Sequence, residues 1–283
     1  MQKTVAIEKL IPKRSHTNSP IKLEIKKNKA IISWKNKGGG QHPKPVKIPK
    51  TITISEETIA LMGFFLGDGL KSSNGAASRT LSFTNSEPNT VKWAMRLFRI
   101  FRIPKNKIKA SVSVRGNVKT AVVKNYWSQI TGIPKENISV NIRPSLSKGI
   151  RNLPAIKEFG AIKIEFYSAI LRDIALGLLN FSISQAKRDV KNAKALLKGL
   201  AAAEGCPVLN HGKLVNVVIS CCDEKNKRII RNIIKKCNLI HRVRSDGIEI
   251  HRKNFKNKYY YDIFSYHKDR HNRFMLGLKS LKL

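Results

Sequence analysis

Apolar positions along the chain switch repeatedly between two periods. The run LMGFFLGDG, Leu61 to Gly69, is apolar until it stops at Asp68 and Gly69, which predicts a helix. In LSFTN, Leu81 and Phe83 alternate with Ser82 and Thr84, the two-residue period of a half-buried strand. Helical spacing returns at Trp93, Ala94, Leu97, Phe98 and Phe101. KASVSVR then alternates again, with Ala110, Val112 and Val114 on one face and Lys109, Ser111, Ser113 and Arg115 on the other.

The same succession begins again 136 residues later, in LKGLAAAEG, Leu197 to Gly205. Without a gap, Gly63 falls on Gly199, Gly67 on Ala203, Asp68 on Glu204 and Gly69 on Gly205. Leu81, Phe83 and Glu87 fall on Val217, Ile219 and Asp223, and the helical positions 93 to 101 fall on Ile229, Ile230, Ile233, Ile234 and Cys237. Val112 and Val114 meet Ile248 and Ile250 of GIEIH. The chain therefore reads as α+β, with two pseudo-symmetric units, each helix, strand pair, helix, strand pair, helix (αββαββα). Asn117–Tyr126 and Ile250–Tyr261 are expected to supply the later strand and the approach to the last helix. The expected organisation is a basic N-terminal extension (1–54), a first repeat (55–181) with an insertion at about 132–164, and a second repeat (190–283). FSISQAKRD, 181–189, reads as the linker.

Residues 1–50 hold thirteen Lys and Arg against two acids. IKLEIKKNKAIISW suggests a hairpin, followed by an extended Gly- and Pro-rich connector. A solvated tail and an added clamp on nucleic acid are both open, and the charge favours the clamp.

Charge sharpens the picture more than composition does. The 283 residues are 41% hydrophobic, as expected of a folded protein, but 55 Lys and Arg against 18 Asp and Glu give a formal charge of +37. The excess runs the length of the chain, so the expected partner is a polyanion, above all a phosphate backbone. No apolar run is long enough for a membrane span, and the first twenty residues are too polar for a signal peptide. Four cysteines without metal-ligand spacing read as reduced thiols of a cytoplasmic protein.

Gly63 and Gly67 lie on one helix face, as do Gly199 and Ala203, and small residues at this spacing allow two helices to approach closely. Such a contact brings Asp68 and Glu204 together at paired helix ends, with Gly69 and Gly205 expected in the left-handed position that terminates a helix. Two carboxylates beside carbonyl-rich helix ends repel one another unless a cation lies between them. Their hard oxygens select Mg²⁺ (or Mn²⁺), which suits phosphodiester hydrolysis; ordinary exposed acids are the alternative. Ser82, Thr84, Lys109, Ser111, Ser113 and Arg115 in the first copy share the outward strand faces with Asn216, Ser220, Arg242, Arg244 and His251 in the second. Lys71 and Lys213 are grouped with them as DNA-binding candidates. Such faces suit groove contacts, although each residue alone also reads as a solvated strand position.

LMGFFLGDG and LKGLAAAEG resemble the two signature motifs of a single-chain LAGLIDADG homing endonuclease of the archaeal type. The resemblance covers roughly residues 55–283 and implies a saddle-shaped, monomeric, Mg²⁺-dependent enzyme that cuts both strands of a long DNA site in an intron or intein insertion context. Carried over by position, Asp68 and Glu204 are the metal-binding acids, with the carbonyls of Gly67 and Ala203 as further ligands. Asn85 stands where the family often has Gln or a basic residue near the scissile phosphate, and its repeat mate is Cys221. These departures keep open a non-cleaving alternative, an intron-RNA maturase or a nucleic-acid-binding regulator.

Overall fold

The computed structural model describes residues 3–13, 19–35, 44–69, 80–115, 118–143, 159–256 and 260–280. The N-terminal part carries β1 (Lys3–Ala6), β2 (Ile21–Lys26), β3 (Lys29–Trp34), β4 (Val46–Pro49) and β5 (Thr51–Ile54). Then come α1 (Glu56–Phe64), a π turn (Phe65–Gly69), β6 (Thr80–Asn85), α2 (Pro88–Ala94), α3 (Arg96–Ile100) and β7 (Lys109–Arg115). They are followed by α4 (Thr120–Thr131), β8 (Ile138–Arg143), β9 (Ala161–Tyr167) and α5 (Ala169–Arg188). The second copy consists of α6 (Val190–Glu204), β10 (Gly205–Asn210), β11 (Lys213–Ser220), α7 (Glu224–Lys236), β12 (His241–Val243), β13 (Gly247–His251) and α8 (Lys268–Lys279).

The chain divides into two compact units. One holds Met1–Pro12, Thr51–Ser72 and Asp173–Leu283, and the other Lys13–Lys50 and Ser73–Arg172. In the first, α1 and α6 pack together, and the sheet order is β10-β11-β13-β12. Val217, Ile219, Ile248 and Ile250 point into its core beside Ile230, Ile233 and Ile234 of α7. In the second, the order is β6-β9-β7-β8, with Leu81, Phe83, Val112, Val114, Ile162 and Ile164 inward. Local chemistry sets the helix starts. Ser55 caps α1 by accepting the Thr58 N–H at 3.1 Å. Glu87 and Asp223, repeat mates, cap α2 and α7 by accepting the N–H groups of Thr90 and Asn226.

The sheet orders correct the end of the ungapped match. In the first unit β13 lies between β11 and β12; in the second, β9 lies between β6 and β7. The counterpart of β13 is therefore β9, while β7, with Val112 and Val114, stands in the place of β12 rather than over Ile248 and Ile250. The registers agree residue by residue. Thr80, Ser82 and Thr84 pair with Tyr167, Glu165 and Lys163, as Asn216, Val218 and Ser220 pair with His251, Glu249 and Gly247. β9 thus lies partly inside the 132–164 stretch that the ungapped match sets apart, and the additional material is α4 with β8, the latter parallel to β7. The strand expected over Asn117–Tyr126 is instead the start of α4; Asn117 lies outside the described residues. In the second copy the strand ends at His251, and Arg252–Lys256 form a 3-10 turn. The 181–189 linker is also helical: α5 runs to Arg188, and Asp189 caps α6 through the Asn192 N–H at 3.1 Å.

The N-terminal extension is folded. The hairpin β2–β3 turns at Lys27, whose φ of 51° is left-handed, and β4 extends it to three strands; 36–43 of the expected connector lie outside the described residues. β1 pairs with β5, and Val5, Ile7 and Leu10 are buried. Leu10 lies so close to α5 that a Cβ on Gly177 would come within 2.4 Å of its carbonyl oxygen.

Candidate functional site

The site begins with the α1–α6 contact. A Cβ on Gly63 would stand 2.0 Å from the Leu196 carbonyl oxygen, and one on Gly199 would stand 1.7 Å from the Ala60 carbonyl oxygen. Leu196 is the repeat mate of Ala60, so the two contacts are the same contact seen from either helix. At the next turn a Cβ on Gly67 would meet Ala203 Cβ at 2.6 Å and Glu204 Cγ at 2.8 Å. Gly63, Gly67, Gly199 and Ala203 are thus all at the interface. Only backbones without bulk between them approach this closely, and α1 accordingly buries every residue from Thr58 to Phe64.

The contact between Gly67 and Glu204 Cγ places Asp68, the next residue, at the same end of the pair as Glu204. Asp68 sits in the π turn Phe65–Gly69, a widened helix end often found at functional positions. Both acids are half-buried. Gly69 and Gly205 do not take the left-handed conformation expected of them. The left-handed glycines among the described residues are Gly132, Gly160 and Gly212. Gly205 is extended (φ −77°, ψ 138°), and what requires glycine there is space: a Cβ would meet the Ala201 carbonyl oxygen at 2.6 Å and the Phe264 ring at 2.8 Å.

The end of α6 holds a residue that motif reading misses. Arg270, in the first turn of α8, donates from Nη1 to the carbonyl oxygens of Ala201, Ala202 and Ala203 at 3.0, 2.7 and 2.8 Å. A guanidinium suits the negative end of a helix dipole. It also engages the Ala203 carbonyl that the resemblance offers as a metal ligand. Unit like charges 4 Å apart repel by about 4 kcal/mol at an effective dielectric of about 20, so Arg270 opposes a divalent ion on that carbonyl. The carboxylates of Asp68 and Glu204 fit a hard cation; the Ala203 carbonyl does not. Among the described residues, no group of three or more His, Cys, Asp or Glu side chains converges.

Asn85 ends β6, and its Oδ1 accepts the Glu87 N–H at 2.9 Å, a local turn bond. Its mate Cys221 bonds the equivalent residue in the opposite sense, its Sγ donating to the Asp223 carbonyl oxygen at 3.5 Å. Burial pushes the Cys221 thiol above its ordinary range, against the opposing effects of the Asp223 backbone contact and the Lys227 charge; the Asp223 and Glu204 carboxylates add to the rise.

The outward sheet faces collect most of the expected nucleic-acid residues. On the β6-β9-β7-β8 sheet, Thr84 and Lys109 are exposed, and Ser82, Ser111, Ser113 and Arg115 are half-buried. On the other sheet, Lys213, Ser220, Arg242 and Arg244 are exposed and His251 is half-buried. Asn216 departs from the pattern. It lies on the outward face between Val208 and His251 in register, but is only 8% exposed, with a buried Oδ1 that has no hydrogen-bond partner among the described residues. Lys71 lies outside the described residues.

These faces are not purely basic or hydroxylic. Glu165 and Glu249 stand at equivalent central positions, paired in register with Ser82 and Val218. The signal that finds them is the local likeness of KIEFY (163–167) to GIEIH (247–251), which the ungapped offset conceals.

No protein-family model matches the chain, and no curated protein does. Among solved structures, the chain is similar to I-DmoI in complex with DNA and Mn, at 13% identity and a TM-score of 0.41, over 74% of this chain and 97% of that one. It is also similar to mesophilic variants of the homing endonuclease I-DmoI, at 13% identity and a TM-score of 0.42, over 74% of this chain and 91% of that one. The N-terminal LAGLIDADG domain of WhiA aligns at 15% identity and a TM-score of 0.34, over 70% of this chain and 76% of that domain. Among the described residues, no helix is long and apolar enough to cross a membrane.

Proposed function

We propose that this chain is a site-specific, double-stranded DNA endonuclease that hydrolyses phosphodiester bonds with a divalent cation, Mg²⁺ or Mn²⁺, held by Asp68 and Glu204. The observation that carries the reading is the reciprocal glycine contact of α1 and α6, which brings the two acids to one end of the helix pair in a chain of formal charge +37. The chemistry a bound ion supplies is Lewis acidity toward a phosphodiester undergoing in-line hydrolysis. The chain's own carboxylates bind and orient; Arg270 holds the end of α6 so that Glu204 keeps its position. The charge draws the DNA backbone in, and the outward strand faces supply the groove contacts.

A second reading, DNA or intron-RNA binding without cleavage, is favoured by one specific observation: the Ala203 carbonyl already accepts a hydrogen bond from a cationic side chain. A randomised duplex-DNA pool incubated with the protein in Mg²⁺ separates the two. Cleavage that is lost in Asp68→Ala and in Glu204→Ala, with DNA binding retained, supports the endonuclease. Binding with no cleavage by the unsubstituted protein in either Mg²⁺ or Mn²⁺ selects the second reading.

A further inference from the structure

Each outward sheet face has a carboxylate at its centre, where a phosphate-binding surface has no use for one. Glu165 on β9 pairs in register with Ser82 on one side and Lys109 on the other, and forms an ion pair with Lys163 at 2.6 Å. Glu249 on β13 pairs with Val218 on one side and Arg242 on the other, and lies 3.5 Å from an Arg244 nitrogen. The two positions coincide in topology and strand register, and each has a basic residue opposite it on one side, Lys109 or Arg242. The chain has only 18 acids against 55 bases, so an acid repeated at the middle of both basic faces is not explained by composition.

We infer that Glu165 and Glu249 are paired specificity residues, each accepting a hydrogen bond from the exocyclic amine of a cytosine in the major groove of duplex DNA. This rests on the reading of the outward faces as DNA-contacting. An ionised carboxylate is acceptor-only and is repelled by phosphate oxygens, so among the groups of a bound duplex it gains only from a base-edge donor. In the major groove, cytosine presents N4–H₂ without a neighbouring acceptor, whereas adenine places N7 beside N6–H₂, guanine presents only acceptors and thymine presents O4. The lone amine of cytosine therefore matches a carboxylate acceptor best. Lys163 and Arg244, the latter also 3.1 Å from Asp246, offset the carboxylates' charge against the phosphate field. Duplex RNA does not fit, because its deep, narrow major groove is closed to side chains.

The test is selection from a randomised duplex-DNA pool, in parallel, with the full-length protein, Glu165→Gln and Glu249→Gln. Gln keeps the shape, so loss of fold is not the expected consequence, and thermal melting of each variant checks this. The unsubstituted protein is expected to enrich a sequence with cytosine at two fixed positions. Glu165→Gln relaxes or changes the preference at one, and Glu249→Gln at the other. As a measurement independent of the variants, replacing either C·G pair by T·A in the selected site weakens binding of the unsubstituted protein by about 5- to 150-fold, the usual cost of one mismatched base pair. A selected sequence that neither substitution alters, or C·G replacements without effect, overturns the glutamate assignment and leaves the DNA-binding reading standing. If the unsubstituted protein binds the pool but enriches no sequence, the glutamate assignment is overturned; if it does not bind the pool at all, the DNA-binding reading falls with it.

Discussion

Helix α1 closes on a π turn that carries Asp68, whereas α6 runs directly into β10, with Glu204 as its last helical residue and Arg270 across its final carbonyls. One turn earlier, the two helices are interchangeable: Gly63 meets Leu196 as Gly199 meets Ala60. The comparison separates two kinds of constraint. Backbone contact tolerates only one solution, so both copies keep it. The helix ends have freedom to differ, and there one copy leaves its acid in a widened turn while the other fastens its end with a guanidinium.

The largest expected effect breaks the chemistry and leaves the packing. Asp68→Asn and Glu204→Gln should each slow Mg²⁺-dependent cleavage by about 100- to 1,000-fold, measured as initial rates on a selected DNA site. Equal losses would show that the two ends contribute alike despite their different construction; a loss with only one would show that the asymmetry reaches catalysis.

Next comes the packing itself. Gly63→Ala and Gly199→Ala each drive a methyl group into a backbone carbonyl that cannot yield alone, and each should destabilise the fold by about 3 kcal/mol or more. Denaturant titration should give matching values for the two, because the contacts are repeat mates. Gly67→Ala meets Ala203 Cβ at 2.6 Å, which moves only with the α6 backbone, and should destabilise the fold in the same way.

Arg270→Met tests the divergent end. It keeps much of the side-chain bulk but removes a charged donor from three carbonyls, a loss of about 2 kcal/mol by the same titration. If instead stability is unchanged and divalent-cation affinity rises, the guanidinium is mainly a barrier to the ion.

The smallest effect contrasts Cys237 with its repeat mate Phe101. Both are buried, but only the thiol ionises, and burial pushes it up to about 11 from 9.0, slightly opposed by the Lys194 charge. An unfolded thiol loses its proton near pH 9 while the folded one keeps it, so the native state binds more protons and stability falls as pH rises between the two values. About 1.4 kcal/mol should be lost by pH 10, and Cys237→Ala should abolish that part of the slope, as followed by denaturation midpoints across the range.

Much of this fold was legible because burial leaves periodic marks. Leu81 and Phe83, Val217 and Ile219, and the small residues of α1 and α6 each announce a face, and the offset of 136 residues joined them correctly through Glu87 and Asp223, both helix caps. The match failed at β7 because alternation has no address. Val112 and Val114 alternate as well as Ile248 and Ile250 do, and only hydrogen-bond register shows that KIEFY, beyond α4 and β8, is the proper partner of GIEIH. Arg270 was illegible for a related reason: it is 66 residues beyond Glu204, and nothing in a basic C-terminal helix distinguishes the arginine that turns back to cap α6. Asn216 shows the reverse limit, a polar residue at an outward position that neighbouring side chains nevertheless bury.

The central claim, that Asp68 and Glu204 together hold a divalent cation, is tested most directly by titrating Mn²⁺ into the DNA-bound protein and following bound ion by electron paramagnetic resonance. The account predicts bound Mn²⁺ for the unsubstituted protein and its loss in both Asp68→Ala and Glu204→Ala, with DNA still bound. Mn²⁺ retained at the same affinity and stoichiometry in both variants would contradict it.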